Sequence, residues 1–203
     1  MKIHLIAAEP MPEEINRIVT DFIADYLWTP SVDGNQNLAR EGISPEKISL
    51  VGNIMIDSLV MVKEKIENLG VCGRFGCRQG EYGLVTLHRP SNVDDRQSLE
   101  TLCRHLVNIS KKLPLIFPVH PRTLGKLKAF GISSLNEAEH IHLTDPLGYN
   151  EFMNLVINSH LIITDSGGVQ EETTFLKIPC LTLRENTERP VTITQGSNRF
   201  NRV

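Results

Sequence analysis

Apolar positions fix the expected elements along most of this chain. From residue 15 to residue 27 they recur every three or four places (Ile15, Ile18, Val19, Phe22, Ile23, Tyr26, Leu27). That spacing predicts an amphipathic helix ending near Thr29-Pro30. Pro12-Glu13-Glu14 suits its first turn, where proline gives up no hydrogen bond and carboxylates meet the positive end of the helix dipole. Residues 31–37 are polar and read as a loop, 37–41 as a short helix closed by Gly42, 47–51 as a short strand, and 54–69 as a second long helix stopped by Gly70. Five glycines then fall within residues 70–83, the composition of a linker or surface excursion.

Beyond the glycines the pattern alternates. Apolar runs at 82–87, 115–119, 141–143, 161–164 and 180–183 predict strands. Helical spacing at 96–113, 122–130, 149–158 and 169–176 separates them. Strands alternating with helices over about a hundred residues predict a parallel sheet covered on both faces, and ligands of such sheets bind beyond the carboxyl ends of the strands.

Those ends carry the candidate chemistry. The first strand runs into His88-Arg89-Pro90, the second into His120-Pro121-Arg122, the third into Asp145-Pro146-Leu147. The fourth runs into Asp165-Ser166-Gly167-Gly168 and then Val169-Gln170-Glu171-Glu172, and the last into 184–190, which opens with Arg184. A strand that turns through Gly-Gly into a helix presents unpaired N–H groups, and the helix dipole favours an anion there. Taken alone, that stretch is equally an ordinary strand-to-helix turn. With two histidines and several arginines on the same edge it describes an anion-lined pocket holding a candidate acid/base. The ligand expected is one carrying phosphate, with Glu172 placed to accept hydrogen bonds from a ribose. Neither GxxxxGK[ST] nor GxGxxG occurs, which argues against a P-loop NTPase and a dinucleotide oxidoreductase.

Composition changes this picture little. The 203 residues are 40% hydrophobic and 22% charged, ordinary for a soluble domain or two, and the net charge of −3 offers no case for nucleic acid or an anionic membrane. No apolar run approaches the roughly 20 residues of a membrane span, and the N-terminus turns acidic too soon for a signal peptide. A cytoplasmic protein is expected. Cys103 and Cys180 read as small core residues. Cys72 and Cys77 lack the second Cys/His pair that a zinc site would need nearby and read as free thiols.

Six separated motifs now line up: MPEEINR (11–17), VTLHRP (85–90), FPVHPRT (117–123), DPLGY (145–149), TDSGGVQEE (164–172) and LRENTERP (183–190). Together they resemble the non-hydrolysing UDP-N-acetylglucosamine 2-epimerases, from about residue 11 to residue 200. The resemblance implies an α/β, GT-B-type fold, with two Rossmann-like lobes as in UDP-glycosyltransferases and glycogen phosphorylase and the site in the cleft between them. It implies interconversion of UDP-N-acetylglucosamine and UDP-N-acetylmannosamine by loss of the C2 proton, elimination of UDP and re-addition, with no metal or nicotinamide. His88 and Glu13 match the family's active-site histidine and one of its carboxylates. His120, Ser166, Gly167, Gly168 and Glu172 match positions that hold UDP, with Phe152 beside the uracil and Arg89 and Arg184 as pocket cations.

The departures are part of the reading. The first half of the family's first lobe has no counterpart here. If His4-Leu5-Ile6-Ala7-Ala8 matches a HVEAGLR segment, Ile6 stands in place of an active-site glutamate. Ser91 stands where many relatives carry a glutamate linked to an allosteric UDP-sugar, so allosteric control is not expected. The expected organisation is a remnant of the first lobe over 1–69, a linker over 70–82 and the UDP-binding lobe over 83–203. An incomplete first lobe would leave Ile15, Val19, Phe22 and Ile23 without their sheet. The partners implied are a UDP-sugar and, to complete the first lobe, a second copy or a separate fragment. A non-catalytic UDP-sugar-binding module and a glycosyltransferase of the same fold remain the alternatives.

Overall fold

Near-continuous apolar runs form the centre of a parallel sheet in the computed structural model, which describes residues 12–184, 191–194 and 196–200. The strands are β3 (Gly83–Thr86), β4 (Leu115–Pro118), β5 (Ile141–Thr144), β6 (Leu161–Thr164), β7 (Cys180–Thr182) and β8 (Asn198–Phe200), preceded in the chain by β1 (Leu27–Thr29) and β2 (Ile48–Leu50). Strands β3 to β8 pair in the order β5-β4-β3-β6-β7-β8, all parallel. Counted from β3, this is the doubly wound order 3-2-1-4-5-6, in which the winding direction reverses between β3 and β6.

Side chains along each strand alternate between two cores. Val85, Phe117 and Ile163 pack on one face with Leu99, Leu102 and Leu106 of α5 (Arg96–Ser110) and Leu127 of α6 (Pro121–Phe130). Leu84, Ile116 and Ile162 pack on the other with Leu59 and Ile66 of α3 (Ile54–Glu67), Met153 and Val156 of α7 (Tyr149–Ile157), and Val169 of α8 (Gly167–Leu176). Both faces are buried, so both alternating sets are apolar. Short helices α4 (Pro90–Val93) and α9 (Val191–Thr194) complete the described elements together with α1 (Pro12–Ile23) and α2 (Val32–Arg40).

The chain divides into two compact units, Met1–Ile54 and Met55–Val203. The division falls ahead of the glycine-rich stretch expected to be a linker. The reason is α3: Leu59 and Ile66 are fully buried in the second unit's core. The glycine-rich stretch is itself anchored there. Val71 and Cys72 are buried in a 3-10 turn, and the fully buried Asn154 accepts from the Val71 N–H at 2.9 Å while its amide donates to the Ile66 carbonyl at 2.7 Å.

The first unit departs from expectation at both of its helices. α1 stops at Ile23, where the Lys47 ammonium donates to the following Ala24 carbonyl at 3.1 Å. Leu27, Trp28 and Thr29 then pair with Ile48, Ser49 and Leu50, so strand pairing overrides the helical spacing that continued to Leu27. α2 begins at Val32 rather than 37, because the Ser31 hydroxyl caps it by accepting from the Gly34 N–H. In this unit Phe22, Ile23, Tyr26 and Trp28 are each more than 70% exposed. No helix among the described residues is long and apolar enough to cross a membrane.

Removing the Asn154 side chain strands the buried Val71 N–H and takes from the Ile66 carbonyl the shorter of its two hydrogen bonds, leaving it only the Leu69 N–H at 3.2 Å. Asn154→Ala is expected to lower the unfolding free energy by about 2–4 kcal/mol in urea titrations. Asn158→Ala should change it by about 1 kcal/mol or less, because the Asn158 amide is a second donor to the Asn154 carbonyl, which keeps the Asn158 N–H at 3.2 Å.

Candidate functional site

The site grows from the point where the sheet reverses its winding. Thr86 and Thr164, the last residues of β3 and β6, are in register, and their hydroxyl oxygens lie 2.6 Å apart. The Thr164 hydroxyl also accepts from the Ser166 N–H at 3.0 Å, which turns the chain at once from β6 toward α8. Between them stands Asp165, with no exposed surface.

A buried carboxylate must be compensated, and four groups from the β3 end do so. The His88 N–H and the Arg89 N–H donate to Asp165 Oδ2 at 3.0 and 2.9 Å, and the Asn92 amide donates to the same oxygen at 3.1 Å. His88 Nδ1 lies 2.9 Å from Oδ1. Burial pushes the Asp165 carboxyl up, but these donors, led by His88, outweigh it and hold the group below the usual carboxylate range. Asn92 also donates to the Leu183 carbonyl at 3.0 Å, so one amide ties the ends of β3, β6 and β7 together.

α8 starts at Gly167 with Ser166 as its N-cap, and the Ser166 side chain makes no capping hydrogen bond. The first N–H groups of a ten-residue helix therefore have no side-chain cap from Ser166, an arrangement that suits an anion. Gly168 also meets a packing demand, since a Cβ there would sit 3.0 Å from the Met55 methyl of α3. Deeper along α8, Glu172 is buried and accepts from the Tyr149 hydroxyl at 3.1 Å. Burial raises the Glu172 carboxyl above its ordinary value, against the Tyr149 hydrogen bond, and Tyr149 is itself pushed up to about 12, by burial first and by the neighbouring carboxylate next. Phe152, one turn along α7 from Tyr149, is half-buried against the same core.

Of the residues expected from sequence, His88 and His120 come together with ring centroids 5.5 Å apart. His120 is the N-cap of α6, and its Nδ1 accepts from the Arg122 N–H at 3.1 Å. Arg89 is a structural tie as well as a cation: its Nε donates to the Asp165 carbonyl at 3.0 Å. Arg184 is buried just past β7. Glu13 lies on α1 in the first unit, and its side chain falls outside the described residues. Asp165, Asn92 and Tyr149 were not singled out from sequence as site residues. The available signal was the position of Asp165 between a strand of three apolar residues and a threonine, and a Ser-Gly-Gly turn, where a charge is set to be buried.

The family described as UDP-N-acetylglucosamine 2-epimerase matches residues 6–202. The chain is 46% identical over 194 residues to the UDP-N-acetylglucosamine 2-epimerase of Methanococcus maripaludis, covering 93% of this chain and 53% of that protein. It is 37% identical to the UDP-2,3-diacetamido-2,3-dideoxy-D-glucuronate 2-epimerase of Pseudomonas aeruginosa, covering 93% of this chain and 51% of that protein. A solved structure of the Methanocaldococcus jannaschii UDP-GlcNAc 2-epimerase, in complex with UDP-GlcNAc and UDP, superposes with a TM-score of 0.82 at 42% identity, covering 94% of this chain and 54% of that one. The chain spans about half the length of the curated relatives it matches.

The depressed Asp165 carboxyl has a definite pH signature. Its stabilisation is complete above the ordinary aspartate value of about 3.9 and is lost as pH falls through the native value below it. Chemical denaturation between pH 7 and 3 should show that acid limb in the wild-type protein and a flatter one in Asp165→Asn. At pH 7 that variant should be less stable by about 2–5 kcal/mol, since its amide cannot accept from all the donors aimed at it.

Proposed function

The chain belongs to the UDP-N-acetylglucosamine 2-epimerase family, and from that premise we propose that residues 83–203 carry the UDP-binding lobe of a GT-B-type UDP-N-acetylglucosamine 2-epimerase. The reaction proposed interconverts UDP-N-acetylglucosamine and UDP-N-acetylmannosamine. A base removes the C2 proton, the C–H electron pair becomes the C1–C2 double bond, and the C1–O bond breaks with its pair leaving on UDP. Re-addition of UDP to C1 and of a proton to the other face of C2 completes the inversion. No net electron transfer occurs, so no redox cofactor is called for.

The observation that carries this reading is the open N-terminus of α8 beside His88 at the winding reversal. Charge accumulates on the departing diphosphate, and fixed N–H donors stabilise it without reorganising during the reaction. Ser166, Gly167 and Gly168 supply that seat, His120 is assigned to the UDP beside it, and the buried Arg184 adds to the positive potential around it. Glu172 is assigned to the ribose hydroxyls, Phe152 to the uracil, and His88 to proton transfer. Glu13 is assigned to the carboxylate contributed by the first lobe. N-acetylglucosamine is preferred over a diacetamido glucuronate because the higher identities fall on relatives of the former kind, 46% and 43% against 37%.

Proton NMR of UDP-N-acetylglucosamine with the protein in heavy water tests the reaction. Deuterium entering at C2 supports an epimerase, whereas free sugar or transfer to an acceptor overturns it in favour of a transferase. Broadened or shifted UDP signals without exchange assign binding alone to this chain.

Glu172 gives an independent test, in which stability and affinity move in opposite directions. Its raised native pKa means that its stabilisation is complete below the ordinary glutamate value of about 4.3 and is lost as pH rises through the native value. Glu172→Gln should therefore make the free protein more stable at pH 7. The same variant should weaken UDP binding by about tenfold or more in calorimetry, because a charged acceptor for the ribose is lost.

A further inference from the structure

The two histidines of the site each have one ring nitrogen already committed, and the commitments are opposite. His88 Nδ1 lies 2.9 Å from Asp165 Oδ1. That carboxylate is fully buried, is surrounded by the His88 N–H, the Arg89 N–H and the Asn92 amide, and in its ionised form can only accept. A bare Nδ1 at that distance would set lone pair against lone pair, so the hydrogen of the neutral ring belongs on His88 Nδ1, which leaves the ring's lone pair on Nε2. His120 Nδ1 instead accepts from the backbone N–H of Arg122 at 3.1 Å. A backbone amide can only donate, so His120 Nδ1 is bare and the hydrogen of the neutral ring sits on Nε2.

We propose that the site is built as a pair of complementary tautomers, His88 offering a base through Nε2 and His120 a donor through Nε2–H, with Asp165 the positioning residue that sets His88. The identity of the ligand rests on the UDP-sugar reading above; the tautomers themselves do not. The pairing matches two different needs within 5.5 Å, the distance between the ring centroids. A substrate proton must find a lone pair, and a diphosphate oxygen must find a hydrogen. Two rings in one tautomer would leave one of those needs unmet, or would aim a lone pair at an anion. Of the two, His88 is held in the form a free imidazole side chain populates less, so it is the informative one.

Histidine-selective 15N labelling with long-range 1H–15N correlation, at a pH where both rings are neutral, reads the tautomers directly. His88→Gln and His120→Gln assign the signals among the seven histidines. The expected result is a protonated Nδ1 for His88 and a protonated Nε2 for His120. Finding His88 in the Nε2–H form, or both rings alike, overturns the proposal. In Asp165→Asn the carboxamide can donate to His88 Nδ1, so His88 should switch to Nε2–H while His120 keeps its form. A His88 that stays Nδ1–H in that variant removes Asp165 from the positioning role. The wild-type measurement decides the tautomer pair whether or not the variant folds. It needs no turnover, so if the heavy-water experiment ruled out an epimerase, the tautomer pair would still stand or fall on the nitrogen spectra alone.

Discussion

The site depends on a buried carboxylate that could not stay ionised alone. Taking an aspartate out of water costs several kcal/mol unless donors replace the hydration it loses. All four groups that do so for Asp165 come from His88, Arg89 and Asn92. The dependence therefore runs both ways. The loop after β3 is folded to satisfy Asp165, and Asp165 tolerates burial because that loop is folded. His88 enters this arrangement through its backbone and its ring together, so its ring position is set by the same contacts that hold the strand ends. A side chain with that many restraints is poorly suited to being a mobile surface histidine.

The sheet explains why these groups meet. β3 and β6 are neighbours in space although separated by two strands and their helices in the chain, and the connections leave the sheet in opposite directions on either side of them. The crevice left between those connections is where α8 begins, and Ser166 leaves its first N–H groups without a side-chain cap. Farther along the same helix, Glu172 is kept buried against its own solvation preference, with Tyr149 as its partner. The free protein thus carries an unfavourable group close to an anion seat. Local instability of this kind is expected where structure has been shaped by a ligand rather than by folding alone.

Much of this was legible in sequence because parallel strands buried on both faces announce themselves as unbroken apolar runs. The α/β alternation and the clustering of His88, His120 and the DSGG stretch at strand ends follow from that signal and from one topological rule. What escaped did so for identifiable reasons. β8 is three residues with Asn198 and Arg199 among them, and its pairing to β7 is not written in any apolar run. Leu27 kept a helical spacing while its pairing with Ile48 decided its conformation. Asp165 was legible only as one more polar residue at a strand end, because burial belongs to the fold and not to the local sequence. The glycine-rich stretch read as a linker because glycine marks turns equally in an anchored excursion and in a tether. The Asn154 hydrogen bonds, the burial of Val71 and Cys72 and the Gly80 N–H bond to the Asn158 carbonyl distinguish the two.

On the reading proposed above, the His88–Asp165 pair has a property that an epimerase needs more than most enzymes. Elimination and re-addition pass through one site in both directions, so by microscopic reversibility a group that takes a proton on one path returns it on the other. A histidine hydrogen-bonded through a bare Nδ1 would lose that contact, or reverse its sense, each time the ring became charged. His88 does not face this problem. Its Nδ1 carries hydrogen in the neutral ring set by Asp165 and still carries it in the imidazolium, so the 2.9 Å contact survives both states while only Nε2 changes. The ring can then cycle its charge without moving. That keeps the geometry of forward and reverse proton transfer the same, and it assigns the buried Asp165 a role that a solvated carboxylate, free to reorient, would fill less well.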